Sequence, residues 1–114
     1  MKDTSRFHRE RIAMSGDEVM AKTVSIVAGF YGKKVTDLLC KTRGLQSDSF
    51  ARMVAQTICH ENARPSEVCR FFGRSHGNTH YATRVIADLC SVDKRIAQDV
   101  AEVRKLVREA VCHA

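Results

Sequence analysis

Two histidines, His76 and His80, stand four residues apart, a spacing that puts both on one side of a helix, with Cys69 seven residues ahead of the first. That is the beginning of a metal site, but no third and fourth ligand follow at metal-binding spacing, so the two histidines read as exposed groups or partner contacts. The other reactive pair is Cys59-His60. Adjacent helical residues point about 100° apart and no orienting acid is evident, so Cys59 reads as core and His60 as surface. A metal-dependent or thiol hydrolase would need a bound zinc or a low-pKa thiol, so the chain is expected to be no enzyme and to carry no cofactor. The richest run is Arg74-Ser75-His76-Gly77-Asn78, followed by His80 and Arg84. On the first turns of a helix lying in the major groove, such groups read base edges: Asn pairs with adenine, Arg with guanine, and Gly lets the backbone approach.

A helix must carry those residues, and the hydrophobic spacing supplies one. With Ala82 set at 0°, Thr79, Val85, Ile86 and Leu89 fall within about 60° of it at helical pitch, while Gly77, His80 and Arg84 fall opposite, flanked by His76 and Tyr81. Ser75 is placed to cap this helix. Before it, Pro65 in a first turn, Glu67 near the positive dipole end, and Val68, Cys69 and Phe72 make a short helix that Gly73 stops. Short helix, glycine turn and longer helix form a helix-turn-helix pattern. Upstream, Asp17 and Glu18 open a helix with Val19, Thr23, Ile26, Val27 and Phe30 on one face, ending near Gly32. Val35, Leu38 and Leu39 make a short amphipathic turn, Lys41-Thr-Arg-Gly44 a basic loop, and Phe50, Val54 and Ile58 a third long helix capped by Ser47 or Asp48. From Asp93, Ile96, Val100, Val103, Val107 and Ala110 stripe a last helix, which reads as a brace or a dimer seam.

The 114 residues suit one domain, and 44% hydrophobic with 28% charged residues is globular composition. One Pro, no Trp and 6% aromatics favour an all-α bundle over a sandwich or barrel, with Tyr31, Phe71 and Phe72 as core aromatics. No apolar run reaches the ~20 residues of a membrane span. Residues 1–11 have no signal-peptide pattern, and five cysteines without a C-x-x-C pair fit reduced thiols, so a cytoplasmic location is expected. The net charge of +6 is unevenly placed: residues 1–11 carry +2, 41–52 carry +2, 64–86 carry +3, and 87–114 carry none. The excess thus falls on the N-terminus, on Lys41, Arg43 and Arg52, and on Arg64, Arg70, Arg74 and Arg84, a distribution suited to a surface that follows phosphates. Arg74 also has a structural reading, as a partner of the preceding helix's last carbonyls.

Several segments, in order, resemble the C-terminal DNA-binding domain of the bacterial replication initiator DnaA. They are Val27-Ala-Gly-Phe-Tyr-Gly-Lys-Lys-Val-Thr-Asp-Leu-Leu39, Ala51-Arg-Met-Val-Ala55, Pro65-Ser-Glu-Val-Cys-Arg-Phe-Phe-Gly-Arg-Ser-His76 and Tyr81-Ala82, within residues 19–108. The resemblance implies a Trp-repressor-like helix-turn-helix fold that reads a short DNA box, with the recognition helix in the major groove and a basic loop in the minor groove. The family signature Gly-Arg-Asp-His-Thr-Thr-Val, running on to His-Ala, stands here as Gly73-Arg74-Ser75-His76-Gly77-Asn78-Thr79-His80-Tyr81-Ala82. It keeps Gly, Arg, His and Ala and departs at the Asp and both Thr positions. By this resemblance Ser75, His76 and Gly77 are base-reading positions, Arg43 is the minor-groove arginine and Lys41 a phosphate contact. The segment Leu45-Gln-Ser-Asp-Ser49 is less basic than its family counterpart, which implies weaker backbone binding. These residues contain no G-x-x-x-x-G-K-[ST], so the initiator's ATPase is not expected here and no nucleotide partner is implied. A start at Met1 favours a stand-alone relative over a fragment.

The expectation is therefore a compact bundle of about six helices, with a flexible basic tail over 1–15 and a helix-turn-helix domain over 16–114. It would bind double-stranded DNA sequence-specifically, as a monomer or homodimer associated with the bacterial nucleoid, in control of replication initiation or transcription. Ser75, His76, Gly77, Asn78, His80 and Arg84 would face the major groove, Arg43 the minor groove, and Lys41, Arg64 and Arg74 the phosphates. The contrasting expectation is a helical protein-interaction module that kept the scaffold and lost specific DNA reading.

Overall fold

The computed structural model describes residues 16–39 and 46–111. Among them are six α-helices and no strand: α1 (Gly16–Tyr31), α2 (Val35–Leu39), α3 (Gln46–Asn62), α4 (Pro65–Phe72), α5 (His76–Val92) and α6 (Lys94–Val111). The expected all-α bundle is what forms. The tail over 1–15 and the loop residues Lys41 and Arg43 lie outside the described residues.

Helix α1 starts with Asp17 and Glu18 at the positive end of its dipole and buries Val19, Met20, Thr23, Val24, Val27 and Ala28. Thr23 sits on that stripe because its hydroxyl donates to the Val19 carbonyl at 2.7 Å. The buried face is turned from the expected one: Met20, Val24 and Ala28 are inside, Ile26 is half-buried and Phe30 is exposed. Gly32, at φ 69°, ends the helix, and Lys33 N–H then reaches back to the Ala28 carbonyl at 2.7 Å.

Helix α3 runs through the centre and touches α1, α2, α4 and α5. Ala51, Val54, Ala55, Ile58 and Cys59 are all buried in it. Ser47 and Asp48, expected as its cap, lie inside the helix and hold Lys33 instead, at 2.7 Å and 2.9 Å from its Nζ. Arg52 corrects a second expectation. Its place beside the basic loop predicts a surface charge, but only 7% of it is exposed and its Nε donates to the Leu38 carbonyl at 2.9 Å, tying down the end of α2.

Helix α4 is built as its residues dictate. Pro65 opens it, Glu67 Oε1 accepts from the Arg64 backbone N–H at 3.0 Å, and Val68, Cys69 and Phe72 are buried. Gly73 takes φ 65°, and Gly73 and Arg74 N–H close the helix on the Arg70 and Cys69 carbonyls. Ser75 then caps α5, its Oγ accepting from Asn78 N–H at 3.1 Å. Asp93 caps α6 through N–H bonds from Arg95 and Ile96 at 3.0 and 3.2 Å. Val100, Val103, Val107 and Val111 turn inward from α6, which packs on α1 and α5 as a brace.

Candidate nucleic-acid interface

Three buried residues seat α5: Thr79, Ala82 and Ile86, with Val85 and Leu89 half-buried beside them. Two polar contacts fix its rotation. Thr79 Oγ1 lies 3.5 Å from Cys69 Sγ, joining α5 to α4 in the interior. Gln56 Nε2, from a side chain almost wholly buried in α3, donates to Asn78 Oδ1 at 3.2 Å. A carboxamide cannot donate and accept towards an apolar core, so its one partner across the interface is a directional constraint.

With those faces committed, α5 turns Ser75, His76, Gly77, His80, Tyr81 and Arg84 to solvent. Tyr81, a large aromatic, is 60% exposed. Gly77 has ordinary right-handed helical space: a Cβ there would meet only Ser75 Oγ, at 3.8 Å. Five of the six expected major-groove residues therefore share one exposed surface. The sixth, Asn78, is half-buried with its oxygen engaged by Gln56, and the Ser75 hydroxyl serves the helix cap. Arg64 is exposed at the start of α4, whereas Arg74 is half-buried in the turn. Arg64 precedes the two helices and Arg74 lies between them; Lys41 and Arg43, from the basic loop, lie outside the described residues.

His60 corrects another expectation. It is half-buried, with its ring 6.0 Å from that of His80 and its Nε2 shielded from solvent. Burial, then the charge of His80, pushes its pKa below the ordinary 6.5, against a smaller pull from Glu61. It lines a cleft of about 300 Å³ between α3, α5 and α6, where Arg104 forks onto both Glu61 oxygens at 2.7 to 3.0 Å. Cys59, one residue before, is core as expected, and burial drives its thiol up to about 12, leaving no thiolate for nucleophilic work at neutral pH. Among the described residues no three His, Cys, Asp or Glu side chains gather as metal ligands, and no helix is long and apolar enough to cross a membrane. Gln56 and His60, one turn apart on α3, are the two residues of this region that the sequence did not single out for it. The available signal was a glutamine inside the apolar run Val54-Ala55 to Ile58-Cys59.

A small all-α domain that presents one polar helix face over a buried, hydrogen-bonded back is the class that fold and site define. No family model matches the chain. It is similar to the chromosomal replication initiator protein DnaA of Tropheryma whipplei, strains Twist and TW08/27, at 30% identity over 98 residues in each. The match takes in 83% of this chain and 20% of each relative, so the chain spans about a fifth of the length of the curated relatives it matches. The similarity and the helical fold fit a DNA-binding, DnaA-like domain.

Proposed function

We propose that this chain binds double-stranded DNA sequence-specifically through a helix-turn-helix formed by α4 and α5, and that it acts in the control of replication initiation or transcription without an enzymatic step. The observation that carries the reading is the solvent face of α5, where His76, Gly77, His80 and Arg84 stand together over the helix's first turns. Base edges are read from His76, His80 and Arg84, with the backbone at Gly77 free to approach closely. Ser75 and Asn78 contribute by holding the helix start in place while presenting their remaining hydrogen-bonding capacity to the groove. Arg43 is assigned to the minor groove, and Lys41, Arg64 and Arg74 to phosphates. Residues 16–114 form the binding domain and residues 1–15 a basic tail that adds charge.

Selection from a random duplex library at two salt concentrations, followed by titration of Arg84→Ala and Arg43→Ala on the enriched site, tests this reading. Each substitution is expected to cost ~1–3 kcal/mol on that site. Weak binding that vanishes at physiological salt, without enrichment, would leave charge alone as its cause. The protein-interaction module would then be the better reading, and the internal engagement of the Ser75 hydroxyl and the Asn78 oxygen is the observation in its favour.

A further inference from the structure

Helix α3 carries two polar side chains one turn apart, and each meets a polar residue on the first turns of α5. Gln56 closes its pair with a hydrogen bond to Asn78. His60 lays its ring against His80, centroids 6.0 Å apart and planes at 60°, and that pair has a bond left to make. His60 Nε2 is shielded from solvent and, among the described residues, has no hydrogen-bond partner. Such an atom in a folded protein calls for a reason. The reason at hand is the facing imidazole: His80 is exposed and its ring can turn, so one nitrogen can meet His60 while the other points outward.

We propose that His60 is a positioning residue for DNA recognition: its Nε2 accepts the inner N–H of His80, fixes that tautomer, and so decides which hydrogen-bonding group His80 turns to the DNA. The nitrogen that carries the proton in an imidazole is set by the bond the other nitrogen makes, so a group that touches no DNA can write the pattern that is read. The proposal rests on the DNA-binding reading above for its consequence, though the ring pairing itself exists without DNA.

His60 must be neutral to accept. The charged and titratable groups facing it are Glu61 on its own helix, His80 and Cys90 on α5, and Arg104 on α6. Arg104 is locked on Glu61, which blunts the carboxylate's pull, and burial keeps His60 uncharged at neutral pH. In acid His60 takes a proton and loses its acceptor.

Two variants separate this role from mere packing. His60→Gln keeps an acceptor that does not titrate; His60→Phe keeps an aromatic ring and no acceptor. Long-range proton–nitrogen spectra of the histidine rings in the free full-length protein should show one dominant His80 tautomer in the parent and in His60→Gln, and a mixture in His60→Phe. On a selected duplex, His60→Phe should lower the preference over a scrambled duplex about five- to tenfold, and His60→Gln by less than about twofold. Between about pH 7.5 and about pH 5.5 the parent should lose preference relative to His60→Gln. Equal tautomer mixtures in the parent and His60→Phe, or equal specificity in the two variants with unchanged helical spectra, would overturn the proposal. If no duplex is enriched, the DNA reading fails, and the tautomer comparison still decides whether His60 fixes His80.

Discussion

Gly73 and Gly77 stand four residues apart, and one methyl group added to each should move stability in opposite directions. Gly77 lies inside the first turn of α5, and the positive-φ glycines among the described residues are Gly32 and Gly73. A Cβ at Gly77 touches only Ser75 Oγ at ordinary distance, so Gly77→Ala narrows the unfolded ensemble without strain and stabilises by about 0.5–1 kcal/mol. At Gly73, φ is 65°, where a Cβ costs about 1–2 kcal/mol, so Gly73→Ala destabilises by that amount. The two variants should therefore differ by roughly 1.5–3 kcal/mol, or on the order of 10 °C in melting temperature for a domain of this size. Calorimetry and urea denaturation with a common m-value would measure it. A destabilising Gly77→Ala, or a neutral Gly73→Ala, would refute the placement of the turn and of the α5 start. Because Gly77→Ala leaves the fold intact, any loss of duplex binding it causes reports the new methyl against the groove.

Two further outcomes follow from buried groups. Arg52→Met should destabilise by about 1.5–3 kcal/mol, the range for hydrogen bonds to charged groups, and leave the salt dependence of DNA binding unchanged. A slope reduced by about one would instead make Arg52 a phosphate contact. His60 binds its proton less tightly in the native than in the unfolded state, so its contribution to stability is complete above the unfolded value of 6.5 and is lost as pH falls towards the depressed native value. Stability profiles of the parent and His60→Gln should therefore diverge only below about pH 6.5, and parallel profiles would show that the burial of His60 does not disfavour its charge.

What the sequence made legible was local. Pro65, Glu67, Gly73 and Ser75 each act within a turn of their own position, and the structure finds them at the start and stop of α4 and the start of α5. The α5 face was legible because one periodic stripe, Thr79, Ala82 and Ile86, determines it. Residues whose roles depend on a distant partner were misread. Arg52 looks like a loop cation until the Leu38 carbonyl lies beside it, and Ser47 and Asp48 look like caps until Lys33 arrives from the turn after α1. His60 follows a buried cysteine and would face water on an isolated α3; α5 and α6 cover it. The face of α1 was misjudged for a related reason: with helices α3 and α6 both packed on it, a broader arc is buried than one stripe predicts, and it takes in Met20, Val24 and Ala28.

The hydrogen bonds behind α5 divide that helix into two independent sets of positions. Thr79 and Asn78 answer to Cys69 and Gln56, so changes there succeed only as matched exchanges across the helices. His76, Gly77, Tyr81 and Arg84 are exposed, and among the described residues none of their side chains holds another element in place. Such a helix is an interchangeable face on a keyed mount: its outward residues can be rewritten, in evolution or by grafting, while the keys hold the rotation and depth at which any new set of side chains is offered.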